Sequence, residues 1–287
     1  MMEIPFTKMH GLGNNYIYID LFEYDLEEDI LADLAKSVSN VNTGIGSDGL
    51  ILIHPTEQAD VGMRIFNKDG SEGQSCGNGL RCVAKYAYES GIVQEESFNI
   101  ETRANIVEAT VRVEESIVTE ITINMGEPIL RRSQIPMLGN DDPQVLQEPF
   151  IVNETQLEVT ALSMGNPHAV FFVDRIEEAP LYEFGPIIEK DPLFPNGVNV
   201  EFIEVVSEDE INFRVWERGS GVTQACGTGA CAAVVAAALN QKIQRNKEVL
   251  VHLQGGDLKI KWDDDGKVWM TGEAEIIASG VFYYSNV

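Results

Sequence analysis

Two short segments hold the residues best suited to chemistry. Cys76-Gly77-Asn78-Gly79 and Cys226-Gly227-Thr228-Gly229 each run straight into a stretch of helical composition, and they lie 150 positions apart. A sulfur just ahead of a helix meets the unpaired N–H groups and positive dipole end of the first turn, which favour thiolate over thiol. The flanking glycines leave those N–H groups open to a ligand carboxylate. If the two halves face each other across a cleft, one small anionic ligand would be held by both helix ends, with a sulfur on each side. A thiolate on one face of a carbon removes its proton while a thiol on the other face returns one, which inverts the stereocentre. That chemistry needs no cofactor when the developing carbanion is stabilised through the substrate carboxylate.

Most of the elements that must position these segments read as short strands. Alternation or β-rich runs mark 16–20, 50–54, 61–67, 98–101, 106–113, 118–124, 157–163, 169–173, 200–205, 211–217, 249–253, 258–262 and 267–272. Residues 26–37 carry apolar positions at helical spacing, and 128–149, rich in Pro, Asn, Gln and Asp, reads as a loop. Many strands and few helices predict an α+β fold. The helix after Cys226 is apolar around nearly its whole circumference, so it must be buried on all sides. The expectation is two pseudo-symmetric lobes, each a strongly curved, mostly antiparallel sheet or barrel wrapped around a central helix. Residues 1–125 plus about 272–287 form the lobe carrying Cys76, and residues 126–271 the lobe carrying Cys226.

The 287 residues include 20 Lys+Arg against 46 Asp+Glu, a formal net charge of −26. Phosphate backbones and anionic headgroups would be repelled by such a surface, which argues against nucleic-acid and membrane partners. The longest apolar run, 230–239, is half the roughly 20 residues of a spanning helix. With no apolar h-region near the start, a cytoplasmic protein is expected. Four cysteines at 76, 82, 226 and 231 lack zinc-site spacing, so no metal is expected, and Cys82 and Cys231 read as packing residues. Gly44-Ile45-Gly46-Ser47-Asp48-Gly49 matches a dinucleotide motif in letters, but it enters a strand instead of a helix and reads as a tight turn. His10, His54 and His252 are assigned structural roles, and Asp263-Asp264-Asp265-Gly266 a hairpin turn.

Further motifs surround the cysteines: His10-Gly11-Leu12-Gly13-Asn14, Asn67-Lys68-Asp69-Gly70-Ser71-Glu72, Met164-Gly165-Asn166-Pro167-His168, Glu217-Arg218-Gly219 and Met270-Thr271-Gly272. Together with the cysteine segments they resemble the diaminopimelate epimerase family along essentially the whole chain. The resemblance implies cofactor-independent interconversion of LL- and meso-2,6-diaminopimelate for lysine and peptidoglycan precursors, by a two-domain homodimer. It implies Cys76 and Cys226 as the acid/base pair, supported by His168 and Glu217. Substrate contacts carry over to Asn14, Asn67, Asn166, Asn199, Glu217 and Arg218, and the helix-end carboxylate cradle to Gly77, Asn78, Gly227 and Thr228. Three positions depart from the family pattern: Asn15, Asn40-Val41-Asn42-Thr43, and Gly49, where some members place a glutamine in the substrate shell.

Two rivals remain. Proline or hydroxyproline racemases of the same fold typically carry His where this chain has Asn78, and a different approach to the second cysteine than Glu217-Arg218-Gly219-Ser220-Gly221. A redox protein would instead oxidise Cys76 and Cys226 to a disulfide.

Overall fold

A computed structural model describes residues 1–74, 76–139 and 144–285. Its contacts divide into two compact units, Met1–Ile123 with Gly272–Val287, and Asn124–Thr271.

The first unit begins with β1 (Met2–Gly11), β2 (Asn14–Asp20), α1 (Leu31–Ser39), β3 (Gly49–His54) and β4 (Val61–Asn67). It continues through α2 (Gly77–Glu89), β5 (Ser97–Glu101), β6 (Ile106–Glu114) and β7 (Ile117–Asn124). The second holds β8 (Val145–Val152), β9 (Thr155–Ser163), β10 (Pro167–Phe172), α3 (Leu181–Ile188), β11 (Asn199–Ser207) and β12 (Glu210–Glu217). Then come β13 (Gly221–Val222), α4 (Gly227–Leu239), β14 (Glu248–Leu253), β15 (Gly256–Trp262) and β16 (Val268–Gly272). The last strand, β17 (Glu275–Tyr284), returns to the first unit and pairs with β1.

The strand pairings repeat between units. The first sheet runs β17-β1-β2-β3-β4-β5-β6-β7, parallel at β2–β3 and β4–β5 and antiparallel elsewhere. The second runs β8-β9-β10-β11-β12-β14-β15-β16, parallel at the corresponding steps β10–β11 and β12–β14. A parallel step needs a crossover of about a dozen residues or more, and these four crossovers carry α1, α2, α3 and α4. The fold is therefore α+β and mostly antiparallel, and the paired Cys-Gly segments open the equivalent helices α2 and α4.

The composition of α4 explains its place. Its Ala, Val and Cys side chains at 230–237 are all buried, and it touches β9, β10, β11, β12, β14 and β15. Strands spaced about 4.8 Å apart would spread those six over roughly 24 Å if flat, twice a helix diameter. The sheet therefore curls around α4. In the first unit α2 packs similarly on β1, β2, β4 and β6.

The sequence reading differs from the structure in three places. Part of the 128–149 loop is strand β8, which buries Val145, Phe150 and Val152; residues 140–143 lie outside the described set. The pattern of β1 is broken by Pro5 and Lys8, but it is paired on both sides, by β2 and β17. Helix α3 contains Gly185 and Pro186, poor helix formers, and is stabilised by tertiary packing. Its Leu181, Phe184 and Ile188 join Phe171, Phe194 and Phe202 in one core.

His252 ties the β14–β15 hairpin to β12: Nδ1 lies 2.7 Å from Asp257 Oδ1 and Nε2 2.9 Å from Glu210 Oε1. The Asp257 hydrogen bond raises its pKa most; burial opposes this and Glu210 adds to it. Because the folded pKa is raised, the stabilisation is complete below the unfolded value of about 6.5 and is lost as pH rises through the folded value. For so exposed a cluster it amounts to at most about 1 kcal/mol. We expect His252→Gln to lower the melting temperature at about pH 5.5 and to have little effect at about pH 9. An equal deficit at both would contradict the ionised pairing.

Candidate active site

Cys76 is the N-cap residue of α2, in extended backbone (φ −148°, ψ 115°). Its Sγ lies 3.6 Å from Oδ1 of Asn14, the first residue of β2. Asn78 Nδ2 donates to the same oxygen at 3.2 Å, and Asn14 Nδ2 donates to Asp48 Oδ2 at 2.9 Å. Asp48 Oδ2 also accepts from the Asn15 backbone N–H at 2.9 Å. Tyr16, nearly buried, meets Cys76 and Asn14 with its hydroxyl; burial first, then the Cys76 and Asp48 charges, push its pKa far above the usual phenol range. It stays protonated.

The departures from the family pattern now have local explanations. A Cβ at Gly49 would come 2.1 Å from the Phe66 carbonyl oxygen and 2.9 Å from the Tyr16 ring, so no side chain fits there. Asn40 Oδ1 accepts from the backbone N–H groups of Asn42 and Thr43, closing the turn after α1. The Asn15 side-chain amide donates to Asp48 Oδ2 at 3.5 Å, a bond that a carboxylate in its place could not make.

Cys226 caps α4 in the same extended conformation (φ −119°, ψ 100°) and is 4 % exposed. Its sulfur accepts from Gly229 N–H at 3.3 Å and lies 3.6 Å from Thr228 Oγ1. A Cβ at Gly229 would fall 2.9 Å from Phe213, 3.0 Å from Glu201 and 3.1 Å from the sulfur, so this close approach requires glycine. Thr228 Oγ1 accepts from Asn166 Nδ2 at 3.3 Å, and Asn166 Oδ1 faces His168 Nε2 at 3.0 Å. His168 Nδ1 is 2.6 Å from Glu201 Oε1, and neither side chain is exposed to solvent. Burial pushes the Glu201 carboxyl up, against the lowering influence of His168. Its other oxygen, Oε2, has no hydrogen-bond partner.

The expectation that the helix end lowers the thiol pKa fails at Cys226. Burial pushes it well above the ordinary range, and the charges of Glu217 and Glu201 add to the effect. The hydrogen bonds from Thr228 and Gly229 act the other way and are outweighed. A helix end favours thiolate in water-accessible settings; deep burial beside carboxylates reverses the balance.

The remaining candidates are placed around these cores. Asn199 Oδ1 accepts from Arg218 N–H at 2.9 Å, and its Nδ2 donates to the Pro167 carbonyl at 3.3 Å. Arg218 Nη1 donates to the Asn196 carbonyl at 2.9 Å, and Glu217 accepts from Thr223 Oγ1. Asn67 pairs with Gly49 in the β3–β4 register, and its exposed side chain donates to Ser71 Oγ at 3.0 Å. Gly77 and Thr228 are half-buried, while Asn78 and Gly227 are buried. Sequence reasoning missed Tyr16, Asp48, Arg81 and Glu201. The usable signals were an acid inside a glycine-rich turn and a lone acid within the apolar strand Asn199–Ile203. Among the described residues, no cluster of three or more His, Cys, Asp or Glu is arranged to hold a metal, and no helix is long and apolar enough to cross a membrane.

This fold is shared by proteins of several names. A phenazine biosynthesis protein of the PhzF family from Bacillus anthracis superposes with a TM-score of 0.72 at 18 % identity, over 99 % of this chain and 100 % of that one. A hydroxyproline epimerase from Agrobacterium vitis gives 0.67 at 16 % identity, over 98 % and 91 %. Sequence narrows the class. The diaminopimelate epimerase family model matches residues 6–130 and 160–277. The diaminopimelate epimerase of Oceanobacillus iheyensis is 68 % identical over 286 residues, 99 % of this chain and all of that one. That of Bacillus velezensis is 60 % identical over 283 residues, again 99 % of this chain and all of the relative. The chain belongs to the diaminopimelate epimerase family and is an isomerase.

The electrostatics of Cys226 can be tested directly. Removing the Glu217 charge lowers the thiol pKa, so more thiolate exists at a given pH. Iodoacetamide alkylation of Cys226, followed by peptide mapping at neutral pH, should be roughly three- to tenfold faster in Glu217→Gln. An unchanged rate would remove Glu217 from this role.

Proposed function

We propose that the chain interconverts LL- and meso-2,6-diaminopimelate without pyridoxal phosphate, with Cys76 and Cys226 as the acid/base pair. The observation that carries this reading is the repeated helix start. Equivalent helices α2 and α4 each open on Cys-Gly-polar-Gly, in a chain 68 % identical to a diaminopimelate epimerase.

One sulfur, as thiolate, takes the proton from the α-carbon, and the electron pair left behind delocalises into the adjacent carboxylate. The other sulfur, as thiol, delivers its proton to the opposite face of that carbon. Each cycle exchanges the protonation states of the two cysteines, so the reverse stereoisomer is processed by the same pair with roles reversed. The first-turn N–H groups of Gly77, Asn78, Gly227 and Thr228 are donors for the developing carboxylate charge. Arg218 suits a carboxylate; Asn14, Asn67, Asn166 and Asn199 can donate to carboxylates and accept from ammonium groups. His168 and Glu217 support the second cysteine. An ammonium group set against Glu217 cancels one of the charges that keep Cys226 protonated, so substrate binding itself eases thiolate formation. The enzyme acts as a cytoplasmic homodimer supplying lysine and peptidoglycan precursors.

Reduced protein incubated with LL-diaminopimelate in D2O should yield the meso form with deuterium at one α-carbon. Cys76→Ala and Cys226→Ala should each lose roughly 10²- to 10⁴-fold in rate while unfolding at the wild-type temperature. Full activity in either variant would refute the two-thiol mechanism. Exchange with proline or hydroxyproline alone would move the assignment to that racemase class, and thiol-partner turnover without α-proton exchange to a redox protein.

A further inference from the structure

The side-chain amides of Asn14 and Asn78 can each present oxygen or nitrogen to a neighbour, so the groups beyond them decide which way they point. At one end stands Arg81, one turn into α2 and 0 % exposed. A guanidinium only donates, and Arg81 Nη2 donates to Asn78 Oδ1 at 3.0 Å. At the other end the Asp48 carboxylate only accepts, and takes the Asn14 Nδ2 hydrogen at 2.9 Å. Between them Asn78 Nδ2 donates to Asn14 Oδ1 at 3.2 Å. Turning Asn78 over would oppose two donors at Arg81, and turning Asn14 over would set its oxygen against a carboxylate. The two charges therefore polarise both amides in one direction, with Asn14 Oδ1 facing Cys76 Sγ at 3.6 Å.

The surroundings maintain this arrangement. Arg81 Nε donates to the Glu273 carbonyl at 3.2 Å, anchoring the guanidinium. A Cβ at Gly11 would lie 2.7 Å from Arg81 Nη2, so glycine there keeps the space open. A fully buried guanidinium is costly to desolvate, and a position needed only for packing is better filled by an apolar residue.

We propose that Arg81 and Asp48 are positioning residues for Cys76: through Asn78 and Asn14 they hold an acceptor oxygen on its sulfur and keep it a hydrogen-bonded thiol in the substrate-free enzyme. Asn14 Oδ1 accepts from S–H but would repel a thiolate, so the relay favours the thiol, against the Tyr16 hydroxyl that also meets the sulfur. This rests on Cys76 being a reacting thiol, yet it is read without turnover.

The measurement is the S–H stretching band of Cys76, isolated as the infrared difference between the full-length enzyme and Cys76→Ala. In the unmodified enzyme the band should be shifted to the frequency of a hydrogen-bonded thiol. In Asp48→Ala, which removes the acceptor that fixes the Asn14 amide, the band should split or move toward the free-thiol position. Arg81→Met should act in the same direction, and Arg81→Lys, which keeps a donor, should restore the band. The kcat/KM of the disturbed variants should fall about tenfold. A free-thiol band in the unmodified enzyme would overturn the proposal. So would an unchanged band in an Asp48→Ala protein that unfolds at the normal temperature, and this arm stands even if Arg81→Met does not fold. Full activity of Cys76→Ala combined with a band that moves as described would instead defeat the functional reading and leave the relay intact.

Discussion

A cysteine buried at the first turn of a helix is under two opposed influences, and the rest of the molecule determines which prevails. Free N–H groups and the dipole end stabilise a thiolate; removal from water and nearby carboxylates stabilise the thiol. At Cys226 the second set wins, with the sulfur 4 % exposed and Glu217 and Glu201 both acting on it. The helix end contributes a fixed donor, the Gly229 N–H, without by itself ionising the sulfur.

Burying a helix start without wasting its donors sets demands on everything around it. A helix enclosed by sheet has few directions in which its first turn can open, so side chains near it must be small or absent. Gly229 satisfies this, because a Cβ there would come 2.9 Å from Phe213, 3.0 Å from Glu201 and 3.1 Å from the sulfur, and its absence leaves them room. The curled sheet supplies the enclosure, and its two parallel steps per unit create the crossovers that insert a helix into it. Repeating the same eight-strand order twice gives two such helix starts from one architectural rule.

Period-2 patterning located most strands to within two residues, because each buries alternate side chains or a continuous apolar run. Strands β14 and β3 illustrate the two cases, with Val249, Val251 and Leu253 inward in one and Leu50, Ile51, Leu52 and Ile53 all buried in the other. Elements whose stability comes from partners were not legible: β1 with Pro5, α3 with Pro186, and β8 after a proline-rich stretch. The motif residues were legible as types, but their partners were not. Nothing in the local sequence links Asp48 to Asn14, or Glu201 to His168, because each pair is joined only by strand register: Ile17 to Leu50 across β2–β3, and His168 to Asn199 across β10–β11. The pKa inference failed for the same reason, since it considered the helix and not the carboxylates brought in by other strands.

The repeat is close in backbone and loose in side chains, and that difference is itself informative. Around Cys76 the supporting groups are a buried arginine, two amides and an aspartate, and the sulfur is half-exposed. Around Cys226 they are a histidine–glutamate pair without solvent contact, an amide and a threonine hydroxyl, and the sulfur is buried. The two sulfurs therefore share a backbone setting and differ in electrostatic surroundings: an amide relay between a guanidinium and a carboxylate at Cys76, an unexposed histidine–glutamate pair at Cys226.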